Sequence, residues 1–224
     1  MASAFTVRRV EALRPRVAAI VDELIGAFTA RPQPADLMTS FSLPLPVRVI
    51  CELLGVPADD MEKFRGWSAV LVTDRKQDSD EILTALAGLY EYFAELIRAR
   101  RTQPRDDLLS ALIAARDSAD RLSAEGLTNL ACTILVAGYE TTAHSISLSL
   151  LALVTRSRAS HLGFGSGAHH CLGAQLARVE LQEALYGLVR LPGLALAVPA
   201  GDLRFKPGMA IHNLRALPIT WTAT

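Results

Sequence analysis

The stretch HLGFGSGAHHCLGAQLARVE, His161 to Glu180, holds four glycines, three histidines and one cysteine within twenty residues. A cysteine thiolate at the start of a helix is stabilised by unpaired backbone N–H groups and by the helix field. Glycines ahead of it let the backbone lie against a flat, bulky group, because they carry no side chain to collide with it. Phe164 can shield the sulfur, and His169 can reach a carboxylate on the rim of such a group. This set of roles describes axial thiolate ligation of a haem iron by Cys171.

Two other chemistries compete for the same residues. Gly163, Gly165 and Ala168 spell a dinucleotide-binding G-x-G-x-x-A, but that fingerprint follows a hydrophobic strand and TRSRAS before it is not one. His161, His169, His170 and Cys171 are all competent zinc ligands. Adjacent His170 and Cys171 would strain a tetrahedral site, and no C-x-x-C or H-E-x-x-H supports them. Only the haem reading uses the phenylalanine, the histidine and the cysteine together.

Phe164, Gly167, His169, Cys171 and Gly173 meet all five fixed positions of F-x-x-G-x-[HR]-x-C-x-G. The chain thus resembles the cytochrome P450 family, and Ala174, Ala177, Arg178 and Glu180 extend the likeness toward its soluble actinobacterial branch. AGYETT, Ala137 to Thr142, resembles the family's oxygen-activation motif [AG]-G-x-[DE]-T. The resemblance implies that Ala137 and Gly138 lie against the haem face, and that Glu140 and Thr141 form the acid–alcohol pair of a proton relay. It further implies a partial P450 fold, b-type haem (heme b), a ferredoxin and ferredoxin reductase as electron donors, and a small organic substrate. The activity implied is monooxygenation. Read without the resemblance, Thr141 and Thr142 bond back to helix carbonyls, and Glu140 is a solvent-facing acid or half of a buried ion pair.

Helices must position these residues. Val10, Leu13, Val17, Ile20, Val21, Leu24 and Phe28 recur at spacings of three and four, predicting a helix over 8–30 that ends at Pro32 and Pro34. Further helices are expected after a loop within Asp36–Pro57, from Met61, over 81–101 and over 106–116, with a turn at Lys76–Asp80. Ser123 is placed to cap a helix that runs on through 127–154. Glu140 and His144 in the middle of that helix argue against a transmembrane span and for a helix through the centre of a water-soluble protein. Cys171 to Arg190 reads as another helix, with Leu172, Leu176, Val179, Leu185 and Leu188 as its apolar set. LALAV, LRF and ALPITW read as short strands. The class is mainly α with a small β part.

Lys plus Arg and Asp plus Glu both number 23, so no nucleic-acid footprint is expected. Three cysteines do not make a disulfide framework and fit a reducing, cytoplasmic setting. The opening MASAFTVRRVEALRPRV lacks a secretory h-region. A single incomplete domain is expected over 1–224. Its helical part, 1–154, includes the oxygen-activation helix; 159–224 carries the cysteine loop, its helix and the closing strands.

Against the family, the chain is expected to lack its N-terminal portion and an internal segment. About eighteen residues separate Thr142 from His161, where the family carries its E-x-x-R motif. Glu11–Arg14, Glu62–Arg65 and Glu95–Arg98 have that spacing elsewhere and read as surface helix pairs. The shortened frame leaves two alternatives to an enzyme: a non-catalytic P450-like helper that binds another protein, or a nonfunctional fragment.

Overall fold

The computed structural model describes residues 7–72, 79–119, 123–156, 163–206 and 213–222. Seven long helices and a three-stranded sheet are found among them. The chain divides into two compact units, one of Val47–Glu140 and the other of Ala2–Pro46 with Thr141–Thr224.

In the first unit, α3 (Met61–Val72) packs on α4 (Ser79–Thr102), which packs on α5 (Leu108–Ala119). The α3–α4 contact is aromatic. Phe64, fully buried, meets the rings of Tyr92 at 4.8 Å and Phe93 at 5.6 Å, both edge-on, the arrangement that ring quadrupoles favour. Asp107 precedes α5 and accepts the Ser110 N–H at 2.7 Å, as an N-cap should. Its other oxygen takes Arg100 Nε at 2.7 Å in a buried ion pair. Arg100 also donates to the Gly55 carbonyl, tying the end of α2 (Pro44–Leu54) to α4. Gly55 has φ +73°, and a Cβ there would overlap the Asp107 carboxylate.

In the second unit, α1 (Val7–Thr29) packs along α7 (Ala174–Leu188). The predicted apolar stripe of α1 is its buried face at Val10, Val17, Ile20, Val21, Leu24 and Phe28, with Leu13 half-buried. The helices approach closely where Gly187 faces Val21 and Ile25; a Cβ would lie 2.7 and 2.5 Å from their side chains. Gly187→Ala is therefore expected to lower stability by about 1–3 kcal/mol through overpacking, read as a lower midpoint in urea. Arg14 Nη1 bridges the same helices to Glu183 Oε1 at 2.6 Å. The Glu11–Arg14 pair is thus part of an interhelical link and not only a surface pair. Glu95–Arg98 is the exposed pair expected; the Arg65 side chain lies outside the described set.

The sheet order is β1 (Ala35–Asp36), β3 (Pro218–Thr220), β2 (Ala195–Leu196), antiparallel throughout, with Ala35 opposite Ile219 and Leu196 opposite Ile219 on the other side. The expected strand in LRF is a single bridge, Phe205 to Leu214. The strand at 35–36 falls where a loop was expected. Asp36 secures it by accepting the Leu217 N–H at 2.8 Å and the Met38 N–H at 3.1 Å.

α6 (Ala124–Val154) is one helix of 31 residues. Ser123 Oγ accepts the Gly126 N–H at 2.9 Å, the expected cap. It is not buried all round: Leu127, Ala131, Leu135 and Tyr139 are buried, while Thr133, Val136, Ala137 and Thr141 are exposed. No helix among the described residues is long and apolar enough to cross a membrane. The expected turn at 76–80 lies mostly outside the described residues, as do His161 and residues 207–212 of the closing strands.

Candidate functional site

α6 presents its motif residues on different sides. Ala137 and Thr141, one turn apart, are both exposed. Gly138 faces the packed side, where a Cβ would come within 2.6 Å of Ile50 Cδ1. Glu140 is half-buried. The Thr141 carbonyl accepts the Ser145 hydroxyl at 2.8 Å. His144, next along, is buried.

The cysteine loop is a small closed structure. The Cys171 N–H donates to the Phe164 carbonyl at 2.9 Å, and the His170 N–H to the Gly167 carbonyl at 3.1 Å. Gly165 and Gly167 have φ of +66° and +69°, values that side-chain-bearing residues avoid. The Cys171 carbonyl then accepts the Ala174 N–H at 3.3 Å. Expected to begin at Cys171, α7 begins at Ala174, because a turn through Leu172 and Gly173 intervenes. Cys171 therefore stands three residues ahead of the helix, and Leu172, expected in its apolar face, is exposed.

Cys171 and His169 are exposed, Phe164 and Gly173 half-buried. Arg178, which could have pointed inward, is exposed; its guanidinium lies 4.7 Å from the centre of the Phe164 ring. The His170 ring is 6.5 Å from that of Phe164. Glu180 is the fully buried carboxylate of α7. Its Oε2 has no hydrogen-bond partner among the described residues, and burial pushes its pKa up to about 8. One signal could have singled it out: it stands four residues after Leu176 and four before Ala184, on the buried stripe of the helix.

The loop fits a haem. Cys171 is exposed, and its amide is bonded within the loop to the Phe164 carbonyl. Among the described residues nothing lies within 4 Å of where a Cβ on Gly167 would be, and one on Gly173 would meet only Cys171 Sγ, at 4.0 Å. Among the described residues no group of three His, Cys, Asp or Glu side chains could hold a bare metal ion. A single sulfur suits an iron whose other ligands come from a macrocycle.

The profile described as Cytochrome P450 matches residues 47–159. The chain is 36% identical to the mycinamicin IV hydroxylase/epoxidase of Micromonospora griseorubida, with 97% of this chain and 75% of the relative covered. The chain belongs to the cytochrome P450 family. Nocardicin C N-oxygenase of Nocardia uniformis subsp. tsuyamanensis is a second P450 relative, 34% identical over 99% of this chain and 75% of its own. The fold agrees: the mixed-function P450 MycG superposes with a TM-score of 0.91 at 36% identity, covering 98% of this chain and 76% of MycG. The LnmA P450 hydroxylase from the leinamycin pathway of Streptomyces atroolivaceus gives 0.91 at 32% identity, covering 97% and 76%. This is a partial P450 fold of the bacterial, actinobacterial type. The match to the mycinamicin enzyme runs over 297 residues, whereas 97% of 224 is about 217; about 80 residues within that stretch of the relative have no counterpart here.

Proposed function

We propose that this P450 is a haem-thiolate monooxygenase acting in a reducing, cytoplasmic setting. With two electrons from a ferredoxin and its reductase, it would insert one atom of dioxygen into a small organic substrate and release the other as water. The observation that carries this reading is the exposed Cys171 sulfur on a closed loop that leads into α7. Mycinamicin IV and nocardicin C, in the names of two relatives, support an organic substrate.

A bound b-type haem supplies an iron at which dioxygen is activated. Cys171 would hold it from one side, with Phe164 covering the sulfur and Gly167 and Gly173 keeping the loop free of bulk. His169 would meet a haem carboxylate, and the exposed Ala137 would border the haem face; Gly138, expected there too, faces Ile50 instead. Thr141 would hold a proton at Oγ1, and Glu140, half-buried and adjacent on α6, would replenish it from solvent.

The test is the reduced, carbon monoxide-bound spectrum of haem-loaded protein. A Soret band of the thiolate type supports the reading; no haem uptake sinks it. Thr141→Ala is expected to leave that spectrum unchanged and to lower product per reduced nicotinamide by about tenfold or more, with hydrogen peroxide rising to match. Unchanged coupling would assign proton delivery to another group.

One observation favours a second reading. The absence of a counterpart to about 80 residues of the mycinamicin enzyme fits a non-catalytic helper that binds another protein. Recovery of a stoichiometric enzyme partner with no haem would support it. Insoluble or protease-sensitive protein would mark a nonfunctional fragment.

A further inference from the structure

We propose that Arg178 is a positioning residue for the haem ligand, acting through Phe164; this rests on the haem-thiolate reading of Cys171. The loop is held at both ends. At its far end, the Cys171 carbonyl accepts the Ala174 N–H and so joins the start of α7. At its near end, Phe164 accepts the Cys171 N–H through its own carbonyl. Whatever fixes Phe164 therefore fixes the backbone that carries the sulfur.

Arg178 does this from one turn inside α7. Its guanidinium carbon lies 4.7 Å from the ring centre, within the range where a cation is drawn to an aromatic face. Nη1 donates to Gln175 Oε1 at 3.2 Å, which restricts the long side chain to that orientation. His170 contributes a ring 6.5 Å from Phe164 and inclined at 48°. Phe164 is thereby anchored to the same rigid helix that receives the Cys171 carbonyl. The clamp joins α7 to its own preceding loop, so it acts locally. In a chain where about 80 residues of the mycinamicin enzyme have no counterpart, it offers a restraint on the cysteine that needs none of them.

Amide hydrogen exchange of the haem-free protein measures the clamp directly. In Arg178→Gln the Cys171 amide should exchange about three- to fivefold faster, while Ala184 within α7 keeps its rate and certifies the fold. Arg178→Lys keeps a cation and should stay near wild type. Phe164→Leu should accelerate the same amide, and adding Arg178→Gln to it should add nothing more. In haem-loaded protein, Arg178→Gln should convert part of the thiolate-type spectrum to a thiol-type one, with Arg178→Lys restoring it. Equal Cys171 exchange in Arg178→Gln, additive effects in the double variant, or altered exchange with an unaltered spectrum would each overturn the proposal. Failure of the wild-type protein to take up haem would overturn the functional reading, and with it Arg178's role toward a haem ligand; the exchange measurements would still show whether the clamp exists.

Discussion

In Cys171→Ala the thiolate-type Soret band of the reduced, carbon monoxide-bound protein is expected to vanish, whereas Cys51→Ala and Cys132→Ala keep it. The three cysteines differ in what surrounds the sulfur. Cys51 is fully buried in α2, and burial pushes its thiol up to about 12. Cys132 is half-buried in α6 and pushed up to about 11, again by burial. A thiol at about 12 is ionised in about one molecule in 10^5 at pH 7, and the thiolate is the form that ligates metal. Cys171 alone is exposed, on a loop whose backbone bonds are already made. Removing it would take away the proposed ligand without opening a core cavity, so the variant should fold as the wild type does. His169→Ala should by contrast loosen haem while leaving the band type unchanged. A thiolate-type band surviving in Cys171→Ala would transfer the ligand role to another residue.

The residues of the loop could be read in advance because a signature of fixed spacing is a local property. So were the long helices: α1, expected over 8–30, spans Val7–Thr29, since its buried positions repeat with the helical period. Ser123 could be placed as a cap because one side-chain oxygen decides it. What escaped the sequence depends on contacts between distant residues, or on turn geometry. Ala35–Asp36 is a strand only because Pro218 and Ile219 pair with it, and two residues carry no periodicity of their own. The start of α7 was set three residues early because Leu172 extends the apolar spacing into a turn. Arg178 is charged, and nothing in its neighbours along the chain says that Phe164, fourteen positions earlier, lies under it. The hydrophobic composition of α6 places it through the centre of the protein, but a 31-residue helix can be largely apolar and still leave Ala137 and Thr141 open. Glu140 in the middle of α6 is only half-buried; the fully buried carboxylate is Glu180.

That carboxylate makes the second large effect. Between pH 5 and 8 the stability of the wild type should fall relative to that of Glu180→Gln. Glu180 is 1% exposed, and its Oε2 accepts no hydrogen bond from the described residues. Burial disfavours the charged form and raises the folded-state pKa from 4.5 to about 8. Below pH 4.5 both folded and unfolded chains carry the proton, and the group sets no pH dependence. Between 4.5 and about 8 the unfolded chain has lost the proton and the folded chain has kept it, so each pH unit favours unfolding by about 1.4 kcal/mol. Above about 8 the folded chain ionises as well, and the cost levels off at several kcal/mol. Glutamine has nearly the same shape and no proton to lose. It leaves an amide with unmade hydrogen bonds, a constant cost of about 1–3 kcal/mol. Urea midpoints of the two proteins should therefore diverge with pH, with the variant gaining on the wild type steadily from pH 5 to 8. Titrations common to both cancel in the difference. Parallel profiles would mean that Glu180 finds a partner in solution. Because α7 also receives the Cys171 loop and bears Arg178, the same titration should appear in haem retention, with wild type losing haem faster relative to Glu180→Gln at pH 8 than at pH 6.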